Sequence, residues 1–308
     1  MMGNIEFPYE VEQCQQRGSD GIGLYRTEFL FLAGDEEPTE EQQLAAYMEV
    51  ADAMKDQPVV MRTMDLGADK LPNLPAPEDE RNPFLGLRSI RLALKHKLLF
   101  RTQLRAILRA SLAGNIRIMF PLICTLMELR QAKSVLADAM EDLEEEGKPF
   151  DRHLQIGMMV EVPAAVMMMD RFVDEVSFFS IGTNDLIQYA LAVDRSNKDV
   201  ASLYTASDPA VLRLIEMSVK TAQKHGVPIS TCGQMCGNPL YTMFLLGLGL
   251  RSLSVTPAAI PEIKRVCRSV TLPQCEQVAR RTMEFDSAHH VRTYLKEELG
   301  KILPDIRI

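Results

Sequence analysis

Short apolar segments recur along this chain of 308 residues, and each ends in a residue that can bind phosphate or metal or transfer a proton. Burying such a group without a partner costs several kcal/mol, so each has to be oriented where its segment ends. Strands that all deliver reactive groups to one edge are typical of the mouth of a parallel barrel. The segments are GIGLYRTE (21–28), VVMRTMD (59–65), IRIMFP (116–121), GMMVEVP (157–163), FFSIGTND (178–185) and ISTCG (229–233).

Segments of helical length, with apolar residues every three or four positions, separate these strands. The alternation of strands and helices predicts a parallel sheet covered by helices. With residues 4–7 as a first strand and 251–257 as an eighth, we predict an α/β fold, a (β/α)8 TIM barrel that forms one domain over residues 1–308. The predicted helical segments occupy 38–56, 89–114, 125–150, 209–226 and 260–270, and the segment 89–114 contains one or two helices.

The bulk composition limits the partners of such a barrel. A net charge of −8 disfavours a general nucleic-acid or anionic-membrane surface, so an anionic ligand needs locally concentrated arginine or lysine. The chain contains no membrane-length apolar stretch, and its start does not resemble a signal peptide. Six cysteines without CxxC or zinc-type spacing favour reduced thiols. We therefore expect a cytoplasmic protein that binds neither nucleic acid nor membrane.

Four arginines, Arg26, Arg62, Arg88 and Arg195, follow or lie near predicted strand ends. The guanidinium group presents a planar fork of donors that matches phosphate and carboxylate oxygens. A single arginine of this kind is more often part of a structural salt bridge. Several that converge on one face of a barrel instead favour a small polyanion, most simply a phosphorylated one.

Two carboxylates, Glu161 and Asp185, lie at the ends of neighbouring predicted strands, and Asn184 offers an amide beside them. Mg²⁺ is usually held by one or two carboxylates together with substrate phosphate and water. The pair therefore predicts half of a magnesium site. The alternative is that each carboxylate pairs with one of the arginines, and both arrangements can hold at once.

Cys232 ends the last of the six segments, which places it at the same barrel mouth. A lone cysteine is more often a small buried apolar residue. Its position among the other reactive strand ends favours a role in proton transfer instead. The long, proline-containing loop at 66–86 follows the strand that carries Arg62, so we expect it to form a lid or a wall of the site.

At these residues the sequence resembles the C-terminal, phosphoenolpyruvate-binding domain of phosphoenolpyruvate–protein phosphotransferase, enzyme I of the bacterial sugar phosphotransferase system. The resemblance extends from about residue 4 to about residue 264, and six spaced motifs agree in order. Pyruvate, phosphate dikinase shares the barrel and several motifs, but RTMDLGADK and the VDR ending favour enzyme I. The motifs are GLYRTEFLF, RTMDLGADK, NPFLGLRSIR, IMFPLI, MVEVPAA and FFSIGTNDLIQYALAVDR.

The resemblance implies an enzyme, a phosphotransferase, and assigns roles to the phosphate-binding residues. Arg26, Arg62 and Arg195 would hold the phosphate of phosphoenolpyruvate, with Asn184 and the backbone at Asp185 assisting. Arg88 would support the site, and no direct contact with the ligand is assigned to it.

The resemblance also assigns the metal and the proton. Glu161 and Asp185 would bind Mg²⁺, and Cys232 would protonate the enolate carbon after the phosphoryl group leaves. A thiol with a pKa near neutrality can deliver that proton and accept it back. The family usually has glutamate after the Cys-Gly pair, whereas Gln234 stands here and lacks the charge.

The family's phosphoryl-accepting histidine lies in an N-terminal domain that we expect to be absent here, and we expect none of the five histidines to replace it. We therefore expect the barrel to act with that domain on a separate chain, and with the downstream phosphocarrier protein. Family members dimerise through the barrel, so a homodimer is also expected. The rival interpretations are a dikinase-like fragment, a lyase of the same barrel class, and a non-catalytic ligand-binding barrel.

Overall fold

A computed structural model describes residues 1–305 apart from 33, 35, 68–69 and 72–80. Eight parallel strands form a closed barrel in which each strand pairs with its neighbour in the sequence and the last pairs with the first. The predicted (β/α)8 fold is confirmed. The strands are β1 Met2–Ile5, β2 Ile22–Arg26, β3 Val59–Arg62, β4 Ile116–Phe120, β5 Gln155–Val160, β6 Phe178–Gly182, β7 Ile229–Cys232 and β8 Leu253–Val255.

The first strand begins two residues earlier than predicted, so the expected span 4–7 is wrong. Strand β1 pairs with β2 and also with β8, and Gly3 is in register with both Ile22 and Val255. Side chains strengthen this seam, because the Ser254 hydroxyl donates to Asn4 Oδ1 at 2.6 Å and Asn4 Nδ2 donates to the Ser254 carbonyl at 3.1 Å. The barrel therefore closes with both edges of its first strand paired.

The helices begin and end where local chemistry favours it. Thr39 and Thr125 each form a capping box, in which the threonine and the third helical residue satisfy each other's backbone N–H groups. The segment 89–114, predicted to contain one or two helices, contains two α-helices that meet at His96. The α-helices are α1 Glu10–Gln16, α2 Phe29–Leu32, α3 Glu40–Met54, α4 Ser89–Lys95, α5 Lys97–Ala110, α6 Leu126–Glu145, α7 Pro163–Met167, α8 Met169–Phe172, α9 Thr183–Leu191, α10 Pro209–His225, α11 Thr242–Gly247, α12 Ile260–Ser269, α13 Leu272–Thr282 and α14 Ala288–Ile302.

The strand register decides which strand ends lie side by side. Arg26 at the end of β2 is in register with Arg62 at the end of β3, and Gly182 on β6 is in register with Cys232 on β7. Below these ends, apolar side chains fill the barrel interior. Among the described residues, no helix is both long and apolar enough to cross a bilayer. The reactive residues therefore converge above a packed floor.

Candidate functional site

A cavity of about 620 Å³ opens at the carboxyl ends of the strands. A smaller recess of about 20 Å³, which we call the narrow end, shares four lining residues with this cavity, and its walls also include Glu161 and Cys232. Every site residue predicted from the sequence lines one of these two parts or both. The described residues that line the wide part are Arg26, Glu28, Arg62, Asp65, Leu66, Gly67, Lys70, Pro83, Phe84, Arg88, Asn184, Asp185, Arg195 and Gln234.

Arg62 is the central basic group, and its side chain is only 10% exposed. Its guanidinium forms ion pairs with Glu28 and Asp65, each at 2.8 Å. Burial acts to lower the pKa of Arg62, but the adjacent charges of Glu28 and Asp65 raise it above its ordinary value. Its Nε is buried without a hydrogen-bond partner among the described residues. Arg62 is therefore a permanent cation with unused hydrogen-bonding capacity.

The two carboxylates that hold Arg62 were missed by the sequence analysis. Glu28 follows β2 within GLYRTE, and Asp65 follows β3 within VVMRTMD. Asp65 also pairs with Arg88 at 3.0 Å, which fixes Arg88 in the cavity wall. The sequence did contain a signal for these two carboxylates. A buried arginine needs a carboxylate partner, and both acids lie within three residues of an arginine at a strand end.

Arg26 and Arg195 lie nearer the rim. Arg26 pairs with Glu6, which lies just beyond the end of β1. Arg195 is exposed and makes no ion pair within the described ranges, while its backbone N–H donates to Gln188 Oε1 at 3.2 Å. Both guanidinium groups can therefore reach a ligand without breaking a buried contact.

Glu161 and Asp185 differ in how their carboxylates are held. Glu161 follows β5, and its Oε1 accepts the backbone N–H of Leu122 at 2.6 Å. Leu122 has a left-handed backbone with φ of 51°, which is uncommon for a leucine. Burial, followed by the charges of Asp185 and Asp65, raises the pKa of Glu161 well above its ordinary value. The charge of Arg62 acts in the opposite direction but does not offset the burial of Glu161.

Asn184 and Asp185 do not end a strand, as the sequence suggested, but lie in the first turn of α9. A Cβ on Gly182 would be 2.6 Å from Glu161 Oε2, so the glycine allows that carboxylate to approach the start of α9. Asp185 is 7% exposed, and its Oδ1 is buried without a partner in the described part of the chain. No ion pair joins either carboxylate to an arginine among the described residues, so the alternative of simple Arg pairing is not found there.

These features fit a hard divalent cation. The described residues contain no group of three or more histidine, cysteine, aspartate or glutamate side chains that would form a complete protein cage for a metal. Mg²⁺ does not require one, since it commonly keeps water and substrate oxygens beside one or two carboxylates. The unpartnered Oδ1 of Asp185 has room for such a contact, and Glu161 lines the narrow end beside it.

Asn184 is fixed from two sides. Its Oδ1 accepts the backbone N–H of Gln234 at 3.0 Å, and its carbonyl accepts the Tyr204 hydroxyl at 3.0 Å. The turn that carries Gln234 begins at Gly233, whose φ of 111° favours glycine. The amide hydrogens of Asn184 remain available to an anion. Gln234 itself is exposed and lines the wide part of the cavity.

Cys232 lies at the narrow end and is 1% exposed. Its sulfur accepts the Ser180 hydroxyl at 3.5 Å. Burial raises the pKa of the Cys232 thiol above its ordinary value, although the Ser180 hydrogen bond acts in the opposite direction. The expectation of a near-neutral thiol is therefore wrong, because the effect of burial outweighs that of the hydrogen bond. The thiol keeps its proton, which suits a donor.

The elevated pKa of Cys232 predicts how the reactivity of the thiol depends on pH. Since the thiolate is the nucleophile, we expect alkylation of Cys232 to be slow near neutrality and to rise only above pH 9.0, the thiol's ordinary value. The rate of alkylation at each pH is measured by mass spectrometry of peptides after pulses of iodoacetamide. Ser180→Ala should move the titration higher still, whereas Ser230→Ala, which removes a hydroxyl bonded to the Phe179 carbonyl, should not. A titration centred near pH 7 would contradict the assignment.

The loop after β3 contributes to the cavity wall, as expected. Leu66, Gly67 and Lys70 line it from one end of the loop, and Pro83 and Phe84 from the other. The Tyr189 hydroxyl on α9 donates to the Phe84 carbonyl at 2.5 Å, which ties the loop to the helix that carries Asp185. Residues 68–69 and 72–80 lie outside the described residues.

No histidine lines either part of the cavity among the described residues, which include all five histidines of the chain. His153 instead lines a separate depression beside the amino ends of β4 and β5, on the opposite face of the barrel. That no histidine of this chain accepts the phosphoryl group stays a prediction.

The fold and the cavity define a class of protein: a parallel (β/α)8 barrel with clustered arginines and carboxylates at the carboxyl ends of its strands. The chain belongs to the family of PEP-utilising enzymes, because the model of their PEP-binding domain matches residues 1–272. The resemblance inferred from the motifs is thereby confirmed.

Curated relatives carry the name phosphoenolpyruvate-protein phosphotransferase. One from Priestia megaterium is 44% identical over 297 residues, covering 96% of this chain and 52% of the relative. Another, from Geobacillus stearothermophilus, is 45% identical over 297 residues, covering 96% and 51%. The chain thus spans about half the length of the curated relatives it matches. A solved citrate lyase from Burkholderia xenovorans, with a TM-score of 0.51 and 14% identity over 97% of this chain and 89% of that one, shows the fold alone.

Proposed function

We propose that this barrel binds phosphoenolpyruvate with Mg²⁺ and delivers its phosphoryl group to a histidine on another domain, releasing pyruvate. The observation that carries the proposal is the convergence of Arg26, Arg62 and Arg195 on the carboxylates Glu161 and Asp185 in one cavity. Phosphoryl transfer is mostly positioning and charge neutralisation, which these groups supply.

The charges of the cavity support this ligand. Phosphoenolpyruvate brings a carboxylate and a phosphate of about −1.5 to −2. The basic groups outnumber the acidic ones by only one, so such an anion is balanced only if a divalent cation enters with it. The lining residues described are five basic ones (Arg26, Lys70, Arg62, Arg88, Arg195) and four acidic ones (Glu28, Asp65, Glu161, Asp185).

Glu161 and Asp185 would hold the cation, and Mg²⁺ bound there would neutralise charge on the phosphate oxygens. Arg62, Arg26 and Arg195 would orient the phosphate from the opposite wall. Asn184 would donate its free amide hydrogens to the same group. The ligand would thereby be fixed with its enol carbon toward the narrow end of the cavity.

Cys232 would act as the acid. When the bond from phosphorus to the enol oxygen breaks, the phosphoryl group passes to the acceptor nitrogen and the electron pair stays on the oxygen as an enolate. The enolate carbon takes the proton from Cys232 Sγ, giving pyruvate and a thiolate. Leu24 and Met159 line the narrow end beside the thiol and exclude competing water. The raised pKa of the thiol keeps that proton in place until the enolate forms.

The acceptor histidine would come from the family's phosphohistidine domain, and from there the phosphoryl group would pass to a phosphocarrier protein of the sugar phosphotransferase system. The relatives extend over about twice the matched length, which leaves room for such a domain in them. We further propose a homodimer. The six free thiols fit the reducing cytoplasm in which we place the reaction.

The test is calorimetric titration of the chain with phosphoenolpyruvate, with and without Mg²⁺. We expect binding that strengthens at least roughly tenfold with Mg²⁺, since the cation cancels the mutual repulsion of two buried carboxylates and the ligand. Glu161→Gln should remove most of this Mg²⁺ dependence, while Glu175→Gln, which alters a carboxylate paired with Arg130 and Lys133 before the amino end of β6, should retain it. No binding at millimolar ligand would refute the proposal.

A further inference from the structure

One buried carboxylate, that of Asp65, is shared by two arginines of the cavity. We propose that Asp65 is a positioning residue, which sets the separation and angle of the Arg62 and Arg88 guanidiniums and thereby makes them competent to bind an anion. This inference rests on the proposed function only in the identity of that anion. Asp65 itself is not expected to touch the ligand.

The two arginines come from different elements, and Asp65 connects them. Asp65 Oδ2 lies 2.8 Å from the Arg62 guanidinium at the end of β3, and Oδ1 lies 3.0 Å from that of Arg88, directly before α4. The backbone N–H of Asp65 donates to Glu28 Oε1 at 2.9 Å, so the aspartate is itself anchored. Because each oxygen of the Asp65 carboxylate contacts a different arginine, Asp65 fixes the two guanidinium groups relative to each other.

The remaining contacts of the two guanidiniums leave donors unused. Arg62 also pairs with Glu28, but its Nε is buried and has no partner in the described ranges. The Arg88 guanidinium lies over the ring of Phe84, 5.5 Å from the ring centroid. This contact occupies the flat face of the guanidinium and leaves an N–H edge available to a ligand. Side-chain exposures of 10%, 6% and 12% for Arg62, Asp65 and Arg88 show that water screens this group poorly.

Burial makes the two arginines dependent on Asp65. Although burial acts to raise it, the charges of Arg62 and Arg88 hold the pKa of Asp65 below its ordinary value, so it is ionised beside both. Without that charge the two guanidiniums would repel each other in a poorly screened environment. They would then separate, and the geometry that an anion requires would be lost.

Removing a negative charge has opposite effects under the two interpretations of Asp65. If the carboxylate were only a nearby charge, Asp65→Asn would make the cavity more positive and an anion would bind more tightly. If Asp65 positions the arginines, the same variant binds more weakly despite the more favourable net charge. The sign of the change in affinity therefore separates the two.

The experiment uses the full chain, with phosphoenolpyruvate plus Mg²⁺ and with inorganic phosphate as the two probes. We expect the Kd of Asp65→Asn to rise at least about tenfold for each probe, as for the loss of a hydrogen bond between charged groups. Asp65→Glu, which keeps the charge and moves it by one methylene, should lie between the parent and Asp65→Asn. The matched control is Glu40→Gln, since Glu40 also bridges two arginines, Arg105 and Arg109, each at 2.6 Å but away from the cavity.

Chemical denaturation of each variant separates affinity from stability. Both Asp65→Asn and Glu40→Gln should lose stability, but only the first should lose affinity. Unchanged or tighter binding by Asp65→Asn would overturn the inference. If that variant does not fold, parental affinity in Asp65→Glu would overturn it instead. A parent that binds phosphate but not phosphoenolpyruvate would refute the proposed function alone, and a parent that binds neither would refute both.

Discussion

Replacing Arg62 with alanine is expected to weaken phosphoenolpyruvate binding by roughly 100-fold or more, because a bidentate charged contact to phosphate is lost. The same change removes the guanidinium group that lies 2.8 Å from both Glu28 and Asp65. These two buried carboxylates then lose their shared partner. Breaking a buried pair from one side costs about 3–5 kcal/mol, so the free energy of unfolding should fall by that amount. Calorimetry measures the first effect and urea denaturation the second.

Arg105 provides the matched control for Arg62. Its side chain is 11% exposed, against 10% for Arg62, and it pairs with Glu40 at 2.6 Å and Glu146 at 2.7 Å on the outer helices. Arg105→Ala should therefore lower stability and leave the affinity within about twofold. If Arg62→Ala is too unstable to study, Arg62→Lys keeps the charge without the planar fork and should bind about tenfold more weakly. Parental affinity in both variants would remove Arg62 from the site.

Replacing Cys232 with serine is expected to slow phosphoryl transfer by about 10²–10⁴-fold, the usual contribution of a positioned acid or base. A serine hydroxyl is a far weaker acid than a thiol and cannot deliver its proton to the enolate carbon at a comparable rate. Binding of phosphoenolpyruvate should change little, since the proposed phosphate contacts come from the arginines and Asn184 rather than from the thiol. The assay supplies the phosphohistidine domain of a family member as a separate chain and follows pyruvate release.

Cys236 provides the control for Cys232. It is also fully buried, and its sulfur lies 3.2 Å from the Thr231 hydroxyl rather than in the cavity. Cys236→Ser should retain transfer within about threefold. Deuterium exchange into the methyl group of pyruvate in D₂O gives an independent measurement that requires no phosphoryl acceptor. If Cys232→Ser transfers and exchanges at the parental rates, Cys232 is not the acid, and a binding module without proton chemistry becomes the better interpretation.

Several elements of this protein were predictable from local chemistry. The alternation of apolar strands with amphipathic helices predicted the eight-stranded barrel, because a parallel strand needs a crossover helix before the next strand. Helix ends were predictable as well. Thr39 caps the start of α3 with its side chain, and Gly226 adopts the left-handed backbone that ends α10. The first strand was misplaced because Glu6 and Phe7 continue its pattern, although only residues within Met2–Ile5 pair with β2 or β8.

The candidate site was predictable in its members but not in its pairings. Arg26, Arg62, Glu161 and Cys232 lie at or beside strand ends, and all strand ends of a parallel barrel meet on one face. The sequence therefore determined which reactive residues share the cavity.

Only the tertiary structure decided which charges are satisfied and which are left for a ligand. Glu28 and Asp65 form ion pairs with Arg62 and so occupy part of its hydrogen-bonding capacity. Asp185 Oδ1, by contrast, stays unpartnered among the described residues, and burial raises the pKa of the Cys232 thiol, which keeps it protonated. These outcomes depend on distances of a few ångströms and on the exclusion of water. Both are set by the register and packing of strands far apart in the chain, so no local pattern can encode them.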